Sequence, residues 1–327
     1  MTRLLPAAGP DAPAIREAAA CLRAGGLVAF PTETVYGLGA DGLNPEAVAR
    51  IYEAKGRPAN NPLILHVADA AAARELVTAW PAEAEALAAR FWPGPLTLVL
   101  PAAACVPAIV RAGNPTVALR CPAHPVALAL VRATGRPLAA PSANRTTQLS
   151  PTRAEHVMAG LGGRIALVLD GGPTAAGLES TILGLHVHPP RLLRPGPIPP
   201  DVLEALLGPL ERWEGAVAHG KSQDAPGMAR KHYAPRARLR LVPRAERAAA
   251  QPDGETAVVV FGVAEGLPDG LPVRPLPLDP AAAGAALYAL LHDLDAEGFR
   301  RILCEQPPEG DAWMALRDRL ARAAAED

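Results

Sequence analysis

The chain has 327 residues, with 32 basic and 33 acidic side chains, 50% apolar residues and 20% charged ones. A formal net charge of -1 supplies no global field for nucleic acid or membrane, although local clusters of basic residues remain open. The length predicts two domains with ample core, and no apolar run approaches the roughly 18 residues of a membrane span, so a soluble, cytoplasmic protein is expected.

In chain order, the apolar spacing predicts a helix over Ala12 to Arg23 closed by Gly25-Gly26, and a buried strand over Leu27 to Phe30. A helix follows from Pro45 to Ala54, with Asn44 as N-cap and Pro45 at its first position. Next come a strand over Leu63 to Val67, helices over Ala70 to Thr78 and Ala82 to Arg90, and strands over Leu96 to Leu100 and Thr116 to Arg120. A helix over Pro125 to Ala133, a short strand over Pro137 to Ala140, a helix over Thr152 to Ala159 and a strand over Ile165 to Asp170 continue the alternation. Strands over Ser180 to Val187 and Arg191 to Arg194 complete the sheet. This alternation predicts an α/β domain with a twisted, mixed sheet over residues 1–208.

Beyond Gly208 the texture changes, and residues 209–237 read as a linker. Residues 238–327 then read as a smaller α/β domain, with strands over Leu239 to Val242, Thr256 to Phe261 and Arg301 to Cys304, and helices over Ala281 to Asp295 and Asp311 to Ala323. Cys21, Cys105, Cys121 and Cys304 are dispersed, without metal-ligand spacing, and are expected as reduced, buried core thiols.

Two glycine patterns mislead. Gly215 to Ser222 fits the Walker A expression letter for letter, but no buried strand precedes it and Pro226 follows too soon for a helix, so the phosphate-cradling geometry has nothing to stand on. Gly37-Leu38-Gly39-Ala40-Asp41-Gly42 fits the dinucleotide fingerprint, yet a polar Thr-Glu-Thr separates it from the strand. The acidic ribose ligand expected about 20 residues on is replaced by Asn60-Asn61.

Scarcity is more informative. Serine occurs only at Ser142, Ser150, Ser180 and Ser222, and lysine only at Lys55, Lys221 and Lys231. Lys55, Arg57, Arg120 and Arg194 stand at strand or loop ends, where a guanidinium or ammonium either meets an anionic ligand or forms an ordinary ion pair, Glu33 and Glu179 being the carboxylates at hand. Four such cations favour an anion-lined cleft. Thr34, Ser142, Asn144 and Ser180 suit either the orientation of an amino acid or ribose, or turn and cap chemistry. His66 closes a strand, where it is structural or a ligand contact, and Tyr233 either packs or covers a ligand. No Ser-His-Asp or Cys-His arrangement for nucleophilic catalysis is present.

Phe30-Pro31-Thr32-Glu33-Thr34-Val35-Tyr36-Gly37-Leu38, Lys55-x-Arg57-Pro58 with Asn61-Pro62-Leu63, and Trp92-Pro93-Gly94-Pro95-Leu96-Thr97 stand in one order with Pro141-Ser142-Ala143-Asn144, Glu179-Ser180-Thr181 and Arg194-Pro195-Gly196-Pro197. Together they resemble the YrdC-type family. Pro226-Gly227-Met228 and His232-Tyr233-Ala234-Pro235 resemble the linker of its long form, with Ala229-Arg230-Lys231 as a departure between them. The resemblance implies a YrdC-like mixed sheet with a concave cleft, a small Rossmann-like carboxy-terminal domain, and a synthase joining L-threonine, bicarbonate and ATP into threonylcarbamoyl-adenylate. That product would serve a downstream tRNA threonylcarbamoyl transferase machinery, with direct tRNA binding left open. It also implies Thr34, His66, Arg120, Ser180 and the backbone at Ala140 for L-threonine, and Arg57, Asn61, Thr116, Ser142, Ser150, Arg194 and Tyr233 for ATP. Lys55 and Asn144, with Arg57 and Ser142, form the family's catalytic Lys-x-Arg and Ser-x-Asn set. No acidic pair reads as a protein metal site, so Mg²⁺ is expected to arrive with ATP. A double-stranded RNA module would need a one-sided basic face. A hydrogenase-type carbamoyl-transfer enzyme would need the cysteine pairs of zinc fingers, which this sequence lacks.

Overall fold

The computed structural model describes residues 1–212, 223, 225–227, 231–249 and 252–325, so the Walker-like stretch at 215–222 lies outside the described residues. The first unit runs β1 (Arg3–Pro6), α1 (Pro13–Arg23), β2 (Val28–Phe30), β3 (Gly37–Asp41), α2 (Pro45–Lys55), β4 (Ile64–His66), α3 (Ala70–Arg74), α4 (Ala82–Phe91) and β5 (Leu96–Pro101). It continues with β6 (Thr116–Arg120), α5 (Pro125–Thr134), β7 (Leu138–Ala139), α6 (Ala154–Leu161), β8 (Leu167–Asp170), β9 (Thr181–Gly184), β10 (Arg191–Arg194), α7 (Pro200–Leu207) and β11 (Glu211–Arg212). Its eleven strands form one mixed sheet in the order β1-β8-β2-β3-β7-β4-β6-β5-β9-β10-β11. The second unit holds β12 (Arg238–Val242), β13 (Thr256–Phe261), β14 (Val273–Leu276), α8 (Pro280–Glu297), β15 (Arg301–Glu305) and α9 (Met314–Ala324), with an all-parallel sheet ordered β12-β15-β13-β14.

Local chemistry explains the elements that matter to the site. Asn44 caps α2 by accepting from the amides of Glu46 and Ala47, Pro45 fills the first helical position, and Gly56 ends the helix with φ of 62°. Lys55 is thereby delivered on the last turn of α2, and Arg57 just beyond it. Gly37–Asp41 is a wholly buried strand rather than a phosphate loop. The reason is packing: a Cβ at Gly39 would lie 2.7 Å from the Phe30 ring, and one at Gly42 would lie 2.5 Å from a Leu65 methyl.

The remaining differences from expectation have similar causes. β1 and β14 sit at sheet edges, where short, partly exposed strands carry little periodic signal, and β14 holds Pro275 within it. Helix α7 begins on Pro200 inside a proline-rich stretch, and the first sheet extends past Gly208 to take in β11. Cys121 and Cys304 are buried as expected, Cys21 is half-buried, and Cys105 is exposed because it lies on the loop after β5.

Apolar layers cover both faces of the first sheet, around Tyr36, Ile51, Leu65 and Leu98 on one side and around Leu22, Phe30 and Leu130 on the other. The core of the second unit does not stop at its own boundary. Val35, Leu149 and Leu178 of the first unit and Tyr233 of the linker are continuous with Phe261, Leu287, Tyr288 and Leu316. The second unit is therefore packed directly behind the loops that carry the site.

Candidate active site

Parallel β4 and β6 end together, with His66 in register with Arg120, and Ala140 follows β7 with its amide donating to Ile64 O at 3.0 Å. Chemistry-bearing residues thus gather at the carboxyl ends of strands, where an open sheet leaves a crevice. The loop after β2 enters from the side. The Thr32 hydroxyl donates to Val35 O at 2.6 Å and accepts from the amides of Thr34 and Val35, which fixes this turn. With that proton committed, Thr34 donates its own hydroxyl to Thr32 Oγ1 at 2.8 Å, and Thr34 Oγ1 accepts from Arg120 Nη1 at 2.9 Å. Arg120 Nη2 lies 2.7 Å from Glu33, so the ion-pair alternative holds for this arginine. Burial, the largest single influence, would raise the Glu33 carboxyl; the charge and hydrogen bond of Arg120 together with backbone amides outweigh it, and the net direction is down.

The other three cations are held differently. Lys55 Nζ donates to Ser142 O at 2.6 Å and to Asn144 O, Arg57 to Asn61 O at 3.1 Å, to Asn61 Oδ1 and to Pro62 O at 2.7 Å. Arg194 donates to Ser180 O at 3.0 Å, Ser180 Oγ at 3.1 Å and Pro226 O at 3.2 Å. Among the described residues none of the three forms a salt bridge, so neutral oxygens orient them while their charges stay uncompensated. Burial pulls all three down from their ordinary values, Lys55 strongly and Arg57 to about 10. A desolvated cation beside a cleft is stabilised by an incoming anion.

Thr34, Arg57, His66, Arg120, Ala140, Ser142, Arg194 and Tyr233 line one cleft of about 520 Å³, counting the space at its mouth. Lys55, Asn61, Asn144 and Ser180 stand behind that lining, bonded to lining residues or, for Asn144, through Lys55. Ser150 also stands behind the lining, fully buried with its hydroxyl on Glu179, which lines the cleft, whereas Thr116 lies elsewhere, opening β6 at the end away from Arg120. Tyr233 is 1% exposed at φ of 61°, with its ring against those of His232 and Tyr288. Gly227 closes the same side with φ of 89°, and a Cβ there would meet the Tyr233 hydroxyl at 2.5 Å and Arg194 Cδ at 3.1 Å.

Thr32, Arg319 and Tyr288 were not legible as site residues. Arg319 had a signal: on α9 it shares the apolar face with Leu316, Leu320 and Ala323, and a charge on such a stripe needs a buried partner.

His66 is 2% exposed and His232 7%, and burial pulls both from the ordinary histidine value of 6.5 to about 3. Their rings are therefore neutral at pH 7, and the unfolded chain binds more protons than the folded one between pH 6.5 and 3. Their contribution to stability is full above pH 6.5 and is lost as pH falls, at about 1.4 kcal/mol per pH unit per histidine. Denaturant unfolding at pH 8, 6.5 and 5 should show this slope below pH 6.5 and a shallower one in His232→Gln; equal stability at all three values would contradict it.

Comparisons with known proteins match nearly the whole chain. The Sua5/YciO/YrdC family model, described as "Telomere recombination", matches residues 20–196, and the model described as "Threonylcarbamoyl-AMP synthase, C-terminal domain" matches residues 198–325. The threonylcarbamoyl-AMP synthase of Bacillus subtilis is 43% identical over 327 residues, covering 95% of this chain and 93% of the relative. That of Pyrococcus abyssi is 44% identical over 321 residues, covering 95% and 94%. The crystal structure of P. abyssi Sua5 complexed with L-threonine superposes with a TM-score of 0.90 at 40% identity, covering 99% of this chain and 97% of that one. With both family models matched in sequence order and the whole fold shared, the chain belongs to the Sua5/YciO/YrdC family, in the long form that carries the threonylcarbamoyl-AMP synthase C-terminal domain.

Proposed function

We propose that this chain is a threonylcarbamoyl-AMP synthase that condenses L-threonine, bicarbonate and ATP into L-threonylcarbamoyladenylate and pyrophosphate. The observation that carries the reading is the pairing of two unlike halves in one cleft: Lys55, Arg57 and Arg194 as buried, uncompensated cations, and the Thr34–Arg120–His66 cluster beside them. The cations suit the phosphates of ATP, and the cluster suits the carboxylate and hydroxyl of L-threonine. A neutral His66 ring can donate or accept at the substrate without adding charge.

In the reaction, the threonine amine condenses with bicarbonate to a carbamate with loss of water, and a carbamate oxygen attacks the α-phosphorus of ATP while the bond to pyrophosphate breaks. No protein nucleophile is needed, and the chain's task is to hold the two parts together and keep water off the carbamate. Tyr233, Gly227 and Pro226 close the side of the cleft next to Arg194, which fits that task. Among the described residues no group of three or more His, Cys, Asp or Glu could cage a metal. The donor set instead fits Mg²⁺ delivered on the nucleotide: Asn144 Oδ1 is a buried, neutral oxygen without a hydrogen-bond partner, the kind of donor a hard cation takes. When bound, Mg²⁺ supplies charge neutralisation on the phosphates.

The product is a mixed anhydride that would carry the threonylcarbamoyl group to an adenosine next to the tRNA anticodon through a separate transferase. The test is pyrophosphate release by the full chain with ATP, Mg²⁺ and bicarbonate, with and without L-threonine. Release that requires both threonine and bicarbonate is expected; release indifferent to threonine would reassign the cleft to another nucleotide reaction.

A further inference from the structure

Arg319 lies on α9 of the second unit, yet its guanidinium is 0% exposed and reaches the wall of the cleft. Its Nε donates to Glu179 Oε2 at 2.7 Å, its Nη2 to Pro195 O at 3.0 Å, its Nη1 to Asp318, and its Cζ sits 4.9 Å from the centre of the Tyr233 ring. Glu179 also accepts from the Ser150 hydroxyl and, at 3.2 Å, from Tyr288 of α8. It is the carboxylate among the described residues lining the cleft, and it precedes Ser180, whose carbonyl and hydroxyl hold Arg194.

A carboxylate in that position works against an anionic ligand in two ways. It repels phosphate oxygens across a low-dielectric space, and it competes with them for the Arg194 guanidinium. Burial, the largest single influence, would push the Glu179 carboxyl up, but the charges of Arg319 and then Arg194, with the hydrogen bonds from Ser150 and Arg319, together keep it down, so it stays charged and the compensation must come from its partners. Ser150 and Tyr288 offer hydrogen bonds but no charge.

We infer that Arg319 is a positioning residue for the nucleotide: supplied by the carboxy-terminal unit, it neutralises Glu179 and seats Tyr233, leaving Arg194 available to phosphate oxygens. The inference rests on the proposed function for the identity of the nucleotide, and it gives the second unit a direct electrostatic part in the site. The folding core shared across the two units provides the rigidity this requires, since α8 and α9 pack against Val35, Leu178 and Tyr233.

The experiment uses the full chain with Arg319→Gln, Glu179→Gln, the double variant and Arg319→Lys. ATP binding with Mg²⁺ is read by calorimetry, KM for ATP and for L-threonine by pyrophosphate release, and folding by thermal melting. Arg319→Gln is expected to weaken ATP binding about tenfold, which is about 1.4 kcal/mol, while KM for L-threonine moves much less. Adding Glu179→Gln to it should recover most of that loss, because the charge to be balanced is gone. Arg319→Lys should stay within about threefold of the parent, and this variant decides the matter if Arg319→Gln does not fold. A tenfold loss in Arg319→Lys, a double variant no better than Arg319→Gln, or an equal rise in both KM values would overturn the inference. Threonine-independent release by the parent would instead sink the proposed function alone, because the ATP affinities of the variants still report on Arg319.

Discussion

Replacing Arg120 by alanine is expected to abolish threonine use and to destabilise the fold together. The guanidinium is 4% exposed and spans three partners, Thr34 Oγ1 at 2.9 Å, Glu33 at 2.7 Å and Gly94 O at 3.3 Å. Deleting one member of such a pair leaves a buried, unpaired charge, which costs about 3–5 kcal/mol. For catalysis, a lost charge-assisted contact to the substrate carboxylate together with a loosened Thr32–Thr34 turn should lower kcat/KM for L-threonine by about a thousandfold, roughly 4 kcal/mol. The pH dependence gives the diagnostic. In the parent, Arg120 keeps the Glu33 carboxyl below its ordinary value; without it, burial is the largest remaining influence and pushes the carboxyl up. A carboxyl raised above its unfolded value stabilises at low pH and loses that contribution as pH rises through the folded value. Arg120→Ala should thus suffer its largest stability deficit at pH 8 and a smaller one at pH 5, measured by denaturant unfolding against the parent at each pH. A deficit independent of pH would mean that Glu33 finds another cation, and the assignment of this pair to the site's framework would fail.

Lys55→Ala should lower kcat/KM for ATP by about a hundredfold to a thousandfold, roughly 3–4 kcal/mol. The ammonium does two things at once. It pins the Pro141–Asn144 turn through Ser142 O and Asn144 O, and it brings an uncompensated charge beside Arg57. Removing it leaves two carbonyls short of a donor, at about 1–3 kcal/mol each where water cannot reach them. Lys55→Met separates the effects by keeping much of the buried stem while removing the charge. Comparable kinetic loss in both variants, with a smaller drop in melting temperature for the methionine, is the expected pattern. A Lys55→Met enzyme with unaltered kcat/KM for ATP would confine Lys55 to a structural part.

Much of the framework that supports these residues was readable in the sequence because its causes are local. Helix α2 follows from Asn44, Pro45 and Gly56, each of which acts through its own backbone, and β6 and β10 end on Arg120 and Arg194 where an apolar run meets an arginine. The apolar run from Ala257 to Phe261 in β13 likewise marks a parallel strand covered on both faces. The motifs were just as local: Lys55-x-Arg57 and Ser142-x-Asn144 lie far apart in the chain, but each is a short cluster anchored by a scarce residue, Lys55 or Ser142, and the 2.6 Å bond from Lys55 Nζ to Ser142 O joins them.

What the sequence by itself determined is therefore the α/β alternation, the two-unit organisation and the standing of Lys55, Arg57, Arg120 and Arg194 at strand or loop ends, written in spacing and capping. Only the tertiary structure decided how those charges are shared. It gave Glu33 to Arg120 and Glu179 to Arg319, and left Lys55, Arg57 and Arg194 on neutral oxygens. It also turned Gly37–Asp41 into a strand and brought α9 against the cleft. The physical reason is range: propensity and capping act over a few residues, whereas ion pairing and desolvation depend on which groups the packed core places within a few ångströms, and Glu179 and Arg319 stand 140 positions apart in the chain.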